Sequence, residues 1–438
     1  MASQQLDTKI RRVVEVVLAG VLVLVPFHAL FTTWAGSNFG HLDAFVIWKE
    51  VIIVAITLPA LWLVGRDVKL RQWLRYNWLA RLVGAYALLH IVLGAWTLQR
   101  SQVNSVALIH ALLINLRFLG FFMIVLVVVA RSDWLRQHWQ RLALWPAFAV
   151  ITFGLLQRFV LPYDFLRHFG YAQNTIPAYQ TVDQKLDFRR IQSTLRGANP
   201  LGAYLVLIIV VLVRRIRRAP VYIIPLLGAG VVLLLSQSRS AWIGTVVALV
   251  VWLWLSGDLR IRRQLLIAIS IGVVVTASSL WVLRDNNFVQ NTFFHTDETS
   301  ASAESSNQGR LKAMQTAADE VVRQPLGRGP GTAGPASFRN SSPPRIAENY
   351  YLQIAQEVGW LGAGLFIAIN VLVAWRLWAA GNDPLARLLL ASLAGLTVVN
   401  LVSHAWTDDT LAYAWWGLCG IALAPGILPM KHKHHGKP

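Results

Sequence analysis

GRLKAMQTAADEVVRQPLGRGPG, residues 309–331, is followed after a Ser/Pro-rich spacer by AENYYLQIAQEVGWLGAGLF, residues 347–366. In the first stretch Leu311, Met314, Ala318, Val321 and Val322 recur at helical spacing behind Ser306, a residue suited to capping a helix N-terminus. The spacing predicts a short amphipathic helix over 307–323, ended by Gln324-Pro325 and lying against a membrane face. In the second stretch Glu348 and Asn349 open a long apolar helix over 351–376. A surface helix, a Gly-rich turn and a crossing helix in succession make one wall of a site at the edge of a bilayer.

The composition around this wall agrees. Of 438 residues, 55% are hydrophobic and 14% charged, against about 25% charged in soluble domains. Apolar runs near the length of a bilayer crossing recur throughout, which predicts an all-α polytopic membrane protein in one membrane domain. About twelve transmembrane helices are expected, at 13–33, 44–64, 78–98, 106–130, 142–161, 198–213, 220–235, 241–256, 264–283, 351–376, 384–404 and 410–428. The net charge of +19 does not imply nucleic acid, because most Lys and Arg stand in short loops between apolar runs. The loops holding Arg66–Arg75, Arg131–Arg141, Arg214–Arg218 and Arg260–Arg263, with the Lys431–Lys437 tail, share one side if both termini are cytoplasmic. The first apolar run follows Lys9, Arg11 and Arg12 without a small-residue cleavage site, and is expected to stay as an anchor. The sole cysteine, Cys419, lies in an apolar run and excludes an intrachain disulfide. The His/Lys-rich end, KHKHHGKP, is expected to be a solvated cytoplasmic tail.

This topology leaves two long loops outside, 163–196 and 284–350, both beyond ordinary connection length. Ionisable residues inside spans are costly and mark function. Lys49 and Glu50 in the second span, Arg117 in the fourth and Arg158 at the outer end of the fifth are expected to face a polar cavity opening outward. The structural alternative is cross-helix pairing, with Arg158 snorkelling to the interface. His90 is expected to be a structural core residue. Outside, where Lys and Arg should be scarce, stand Arg189, Arg190, Arg196, Arg239, Arg310, Arg328, Arg339 and Arg345. Arg239 sits in SQSRS, a hairpin tip between two spans and flanked by hydroxyls. A guanidinium there is suited to an anion at the membrane surface, since it grips phosphate bidentately and keeps its charge.

Taken in order, RRIQSTLRGANPLGAYL, the SQSRSAWIG hairpin, GRLKAMQTA–PLGRGPG and ENYYLQIAQEVGWLG resemble the O-antigen ligase and polymerase family of bacterial membrane glycosyltransferases. The resemblance is carried by residues 185–375, and the N-terminal half matches only as a set of spans. It implies a C-type glycosyltransferase-like architecture in the plasma membrane. It further implies a glycan donor carried on undecaprenyl diphosphate, a lipid or glycan acceptor hydroxyl, no cofactor and no metal. By motif position Arg190, Arg239 and Arg310 would hold the diphosphate, with Arg196 beside them, and Glu348 and Asn349 would be catalytic. The family commonly has His before that Asn, and here the position is Glu348.

Expelling a diphosphate needs charge neutralisation more than protonation, which arginines supply. An acceptor hydroxyl gains from a base or a short hydrogen bond, the expected role of Glu348, with Asn349 orienting it. Ligase-type transfer is expected, with a polymerase as the alternative. A divalent cation held by Asp408, Asp409 and His404 is a weaker alternative. GRGPG lacks the Lys-Ser/Thr of a nucleotide phosphate loop and reads as a turn. A transporter or flippase would suit the span count and buried charges, but its two halves should mirror each other, and here both long loops stand on one side.

Overall fold

The computed structural model describes residues 2–182, 185–216, 218–256 and 306–426, with single positions between 263 and 282. The helices used below are α1 (Ala2–Leu24), α2 (His28–Phe39), α3 (Leu42–Val46), α4 (Trp48–Arg66), α5 (Val68–Tyr76), α6 (Trp78–Gln99), α7 (Ser105–Val129), α8 (Trp134–Phe159) and α9 (Ala198–Ile216). They continue with α10 (Ile223–Leu235), α11 (Arg239–Ser256), α12 (Ser306–Arg323), α13 (Tyr350–Ala379), α14 (Pro384–Leu401) and α15 (Asp409–Leu423). Nine helical segments among the described residues are long and apolar enough to cross a membrane. Two more expected spans appear as shorter helices, at Pro220–Leu235 and Asp409–Leu423. The expected span at 264–283 and the His/Lys-rich tail lie outside the described residues. The chain is therefore an all-α polytopic membrane protein, with its count of twelve met only in part.

Burial separates lipid-facing from protein-facing sides. On α4 and α6 the side chains of Val51, Val54, Leu58, Leu88 and Ile91 are exposed, the arrangement of helices that meet hydrocarbon. On α7, by contrast, Phe118, Phe121, Phe122, Val125 and Val128 are fully enclosed, and on α9 the run from Leu201 to Leu212 is buried all round. Trp415 packs edge to face on Trp406 and Trp416, which are tilted to each other, with ring centroids 5.1–5.9 Å apart. Lipid offers no hydrophobic drive for helix association, so close packing of small residues supplies it. Gly244 of α11 and Gly395 of α14 meet this way: a Cβ on either would run into the other's carbonyl oxygen.

Two loops cover one face. The first carries a small hairpin, β1 (Gln180–Val182) with β2 (Lys185–Arg190), in which Gln180 pairs with Arg190. Its strands were not expected from sequence. The second carries α12, within a residue of the expected 307–323 helix. After α12 the Gly-rich turn docks on a break in α13. Val358 and Gly359 leave helical geometry there, Gly359 with φ +69°. The break frees carbonyls that the turn takes up: Arg328 N–H donates to Gln356 O at 2.9 Å, and Gly329 N–H to Glu357 O at 2.8 Å. Trp360 N–H returns to Pro325 O at 2.9 Å. The buried Glu357 carboxylate accepts from Gly331 N–H at 2.8 Å and Asn115 Nδ2 at 2.7 Å, tying the turn to α7. Only glycine fits at 359, where a Cβ would strike the Pro325 carbonyl. Replacing Gly359 with Ala should therefore destabilise the protein by about 1–3 kcal/mol, read as a lower midpoint in detergent thermal unfolding, whereas Gly364→Ala, with open space around it, should not.

Candidate active site

Several helices begin at the face covered by the two loops, and each brings a charged or polar residue with it. β2 ends at Arg190, and the strand docks on the hairpin tip through Ile191 N–H to Leu235 O at 3.3 Å. Arg190 Nε donates to Ser236 O at 2.9 Å, and Nη2 donates to Asn199 in the first turn of α9. Arg239 is the first residue of α11 and Arg310 lies in the first turns of α12. A cation at a helix N-terminus runs against the macrodipole, and an anion there is what that end attracts. Arg190 registers the crowding: burial, and then the charges of Arg310 and Arg239, pull its guanidinium down to about 10. It remains charged at neutral pH, so the cost of holding it beside two other arginines is fully present below about pH 10. That cost is relieved only as pH rises from there towards the group's ordinary value.

The opposite wall comes from the chain around α13 and α15. Glu348 stands 3.9 Å from Arg310. Asn349 caps α13, accepting from Leu352 N–H at 3.0 Å and donating to Leu401 O at 2.9 Å. Both ends of its amide are thus committed to placing the chain. Tyr350 N–H donates to Ser403 O at 3.1 Å, a second stitch that brings His404 alongside. Burial, with the charges of Arg196 and Arg310, pulls the His404 imidazole down to about 4. Arg196 joins the same wall, 3.2 Å from Asp408, the residue that caps α15. Ser193, Gln237 and Glu348, each beside one of these groups, have positive φ of +53°, +50° and +50°. Strained backbone of this kind gathers at functional sites.

The four arginines expected to hold a diphosphate are therefore linked through shared partners or mutual field. Arg158 lines a cavity of about 160 Å³ with Tyr163, Tyr179, Arg189 and Arg190. Lys49 and Arg117, expected to face an outward cavity, are instead locked into a closed ion network, and Lys49 is fully buried. Lys49 Nζ lies 3.1 Å from Glu50 and 3.4 Å from Asp409, and Arg117 pairs with Glu50 at 2.9 Å and with Asp409. Trp48 Nε1 donates to His28 Nδ1 at 2.9 Å, and His28 Nε2 lies 3.1 Å from Asp409 and 3.2 Å from Lys49 Nζ. Two cations and two carboxylates balance, the condition for enclosing them. Arg117 Nη2 also donates to Thr407 O at 2.9 Å, so the network is the floor under the 404–408 turn. Asp408 and Asp409 face different cations, Arg196 on one side and Arg117 with Lys49 on the other. Asn199 and Glu357 were not singled out from sequence as parts of the site or its support, and His404 was noted only within the weaker metal alternative. Only their neighbours across the fold reveal them.

The fold and this cluster define a polytopic membrane protein with a cationic site at one face. Residues 224–367 match a family model described as O-Antigen ligase. The matched segment contains Arg239, Arg310, Glu348 and Asn349, whereas Arg190 and Arg196 lie before it. The match supports, over that segment, the resemblance seen in the motifs. No curated protein matches the chain.

Asp409→Asn should leave Lys49 and Arg117 facing Glu50 alone and cost about 3–5 kcal/mol. Thermal unfolding in detergent measures the loss, and a second change that removes a cation, Lys49→Met, should recover part of it.

Proposed function

We propose that the chain transfers a glycan from an undecaprenyl-diphosphate carrier to an acceptor hydroxyl at the extracytoplasmic face of the plasma membrane, in the manner of an O-antigen ligase. One observation carries this: Arg190, half-buried and held by the Ser236 carbonyl and the Asn199 amide, stands in the field of Arg239 and Arg310. Guanidinium groups gathered in one field favour a polyanion, and a lipid-borne diphosphate is the polyanion a membrane-edge site meets. The placing of basic loops on the opposite side supports the outward orientation.

In the proposed step the acceptor oxygen attacks the anomeric carbon of the donor sugar. The bond from that carbon to the phosphate oxygen breaks, and its electron pair leaves on the carrier diphosphate. Arg190, Arg196, Arg239 and Arg310 bind the diphosphate more strongly as charge grows on the leaving oxygen. Glu348 receives the acceptor proton. Asn349 positions Glu348 by capping α13 and holding Leu401. His404, neutral through the working pH range, offers the acceptor hydroxyl a hydrogen-bond partner without adding another cation.

Pyrophosphate should raise the unfolding midpoint, by an amount equivalent to about 2.7 kcal/mol at one hundred times its dissociation constant. Arg190→Gln, Arg239→Gln and Arg310→Gln should each weaken this shift and slow transfer about a hundredfold or more. A full-sized shift in all three variants would remove the diphosphate site.

Glu348→Gln should lower kcat about 10²–10⁴-fold and leave the pyrophosphate shift in place. Because His404 titrates only near pH 4, the rate should be flat from pH 6 to 8. An inflection near the ordinary histidine value that disappears in His404→Gln would transfer the proton-accepting role from Glu348 to His404.

A further inference from the structure

A second cavity, of about 490 Å³, opens between the Gly-rich turn and the loop joining α6 to α7. Gln102, Gln324, Arg328, Asn340, Ser342 and Arg345 line it. It stands apart from the arginine cluster. Arg310 lies in the first turns of α12 and Gln324 just past its end, so the helix separates them by about 21 Å at 1.5 Å per residue.

The lining is chemically unlike the cluster. Arg345 has its charge spent on Glu320, with Nε 3.0 Å and Nη2 2.5 Å from the carboxylate, which also accepts from Gln356 at 2.7 Å. Arg328 Nε donates to the Gln324 amide oxygen. What remains is a wall of amides and hydroxyls with the Arg328 guanidinium among them. The Gln102 amide and the Ser342 hydroxyl stand exposed on this wall. Amides and hydroxyls offer donors and acceptors side by side, the pattern that matches the hydroxyl groups of a sugar. The wall is also stiff. Asn104 Nδ2 donates to Arg339 O at 2.7 Å, Asn104 N–H to Asn340 Oδ1 at 3.2 Å, and Gly334 N–H to Arg345 O at 2.8 Å. Glu357 anchors the Gly-rich turn behind it. A preformed polar cavity of this size takes a small ligand without first being ordered.

We infer that this cavity is a saccharide subsite, which holds sugar units of the carrier-linked glycan remote from its diphosphate. The inference rests on the transferase reading of the arginine cluster and adds a place where donor length is sensed. A glycan leaving the diphosphate near Arg310 and running along α12 reaches the cavity several units later.

The test uses purified full-length protein in lipid nanodiscs. The donor is the undecaprenyl-diphosphate-linked glycan of the producing cell, supplied intact and trimmed to its first two sugars. Wild-type protein should show a lower KM for the intact donor. Gln102→Ala with Ser342→Ala should raise that KM about tenfold, leave kcat unchanged, and leave the trimmed donor unaffected. Ser342→Trp, which fills the cavity from an exposed position, should do the same. Equal effects on both donor lengths, or none in either variant, would overturn the subsite. Sensitivity to acceptor length alone would overturn its assignment to the donor. Transfer by the wild-type protein keeps the transferase reading intact whichever result is found for the subsite; no transfer from either donor by the wild-type protein would sink the transferase reading itself.

Discussion

Like charges brought together beside a low-dielectric medium must be restrained by something else. Here Arg190, Arg239 and Arg310 share one field, close to a membrane that cannot solvate them. The first of them is positioned by bonds that do not neutralise it. Arg190 is held by the Ser236 carbonyl and the Asn199 amide, neither of which carries charge. Arg239 and Arg310 are placed by the starts of α11 and α12, whose dipoles add to the positive potential. The frame that places them is thus built from a backbone carbonyl, an amide and two helix starts.

That frame has a deeper support. The 404–408 turn carries His404 and Asp408 and is gripped from below by Arg117 through the Thr407 carbonyl. From the side it is gripped by Arg196, through Asp408 and the Thr407 hydroxyl at 3.4 Å. α13 holds the preceding segment by the Asn349 and Tyr350 bonds. On the far side the Gly-rich turn is fastened to α13 at its break, so α12 is fixed at the end away from Arg310. The site is thus bounded by segments distant in sequence but joined through backbone carbonyls.

Much of this was legible in the chain. The crossing helices follow from apolar run length, and α12 from its spacing and the Pro that ends it. Arg239 could be singled out because a hairpin tip between spans has nowhere else to be. What was hidden depends on pairing across the fold. Lys49, Glu50, Arg117 and Asp409 look like four separate violations of hydropathy, and only their packing shows them as one balanced set. Glu357 sits in an apolar helix with no local sign that it receives Gly331 and Asn115. The β1–β2 hairpin was hidden because short strands in a polar loop carry little alternation. His404 drew notice only for its neighbouring carboxylates, whereas its place in the field of Arg196 and Arg310 comes from stitches made by other residues' backbones.

The dual use of Arg117 has a consequence for how such a chain can change over evolutionary time. One side chain both balances the acids in the interior and fixes the turn at the surface. A lineage that lost Glu50 or Asp409 would keep an excess cation at depth, and one that replaced Arg117 would loosen the surface turn as well. Drift at these positions is therefore coupled: descendants keep the whole set, or exchange it together for an apolar one that finds another way to hold Thr407.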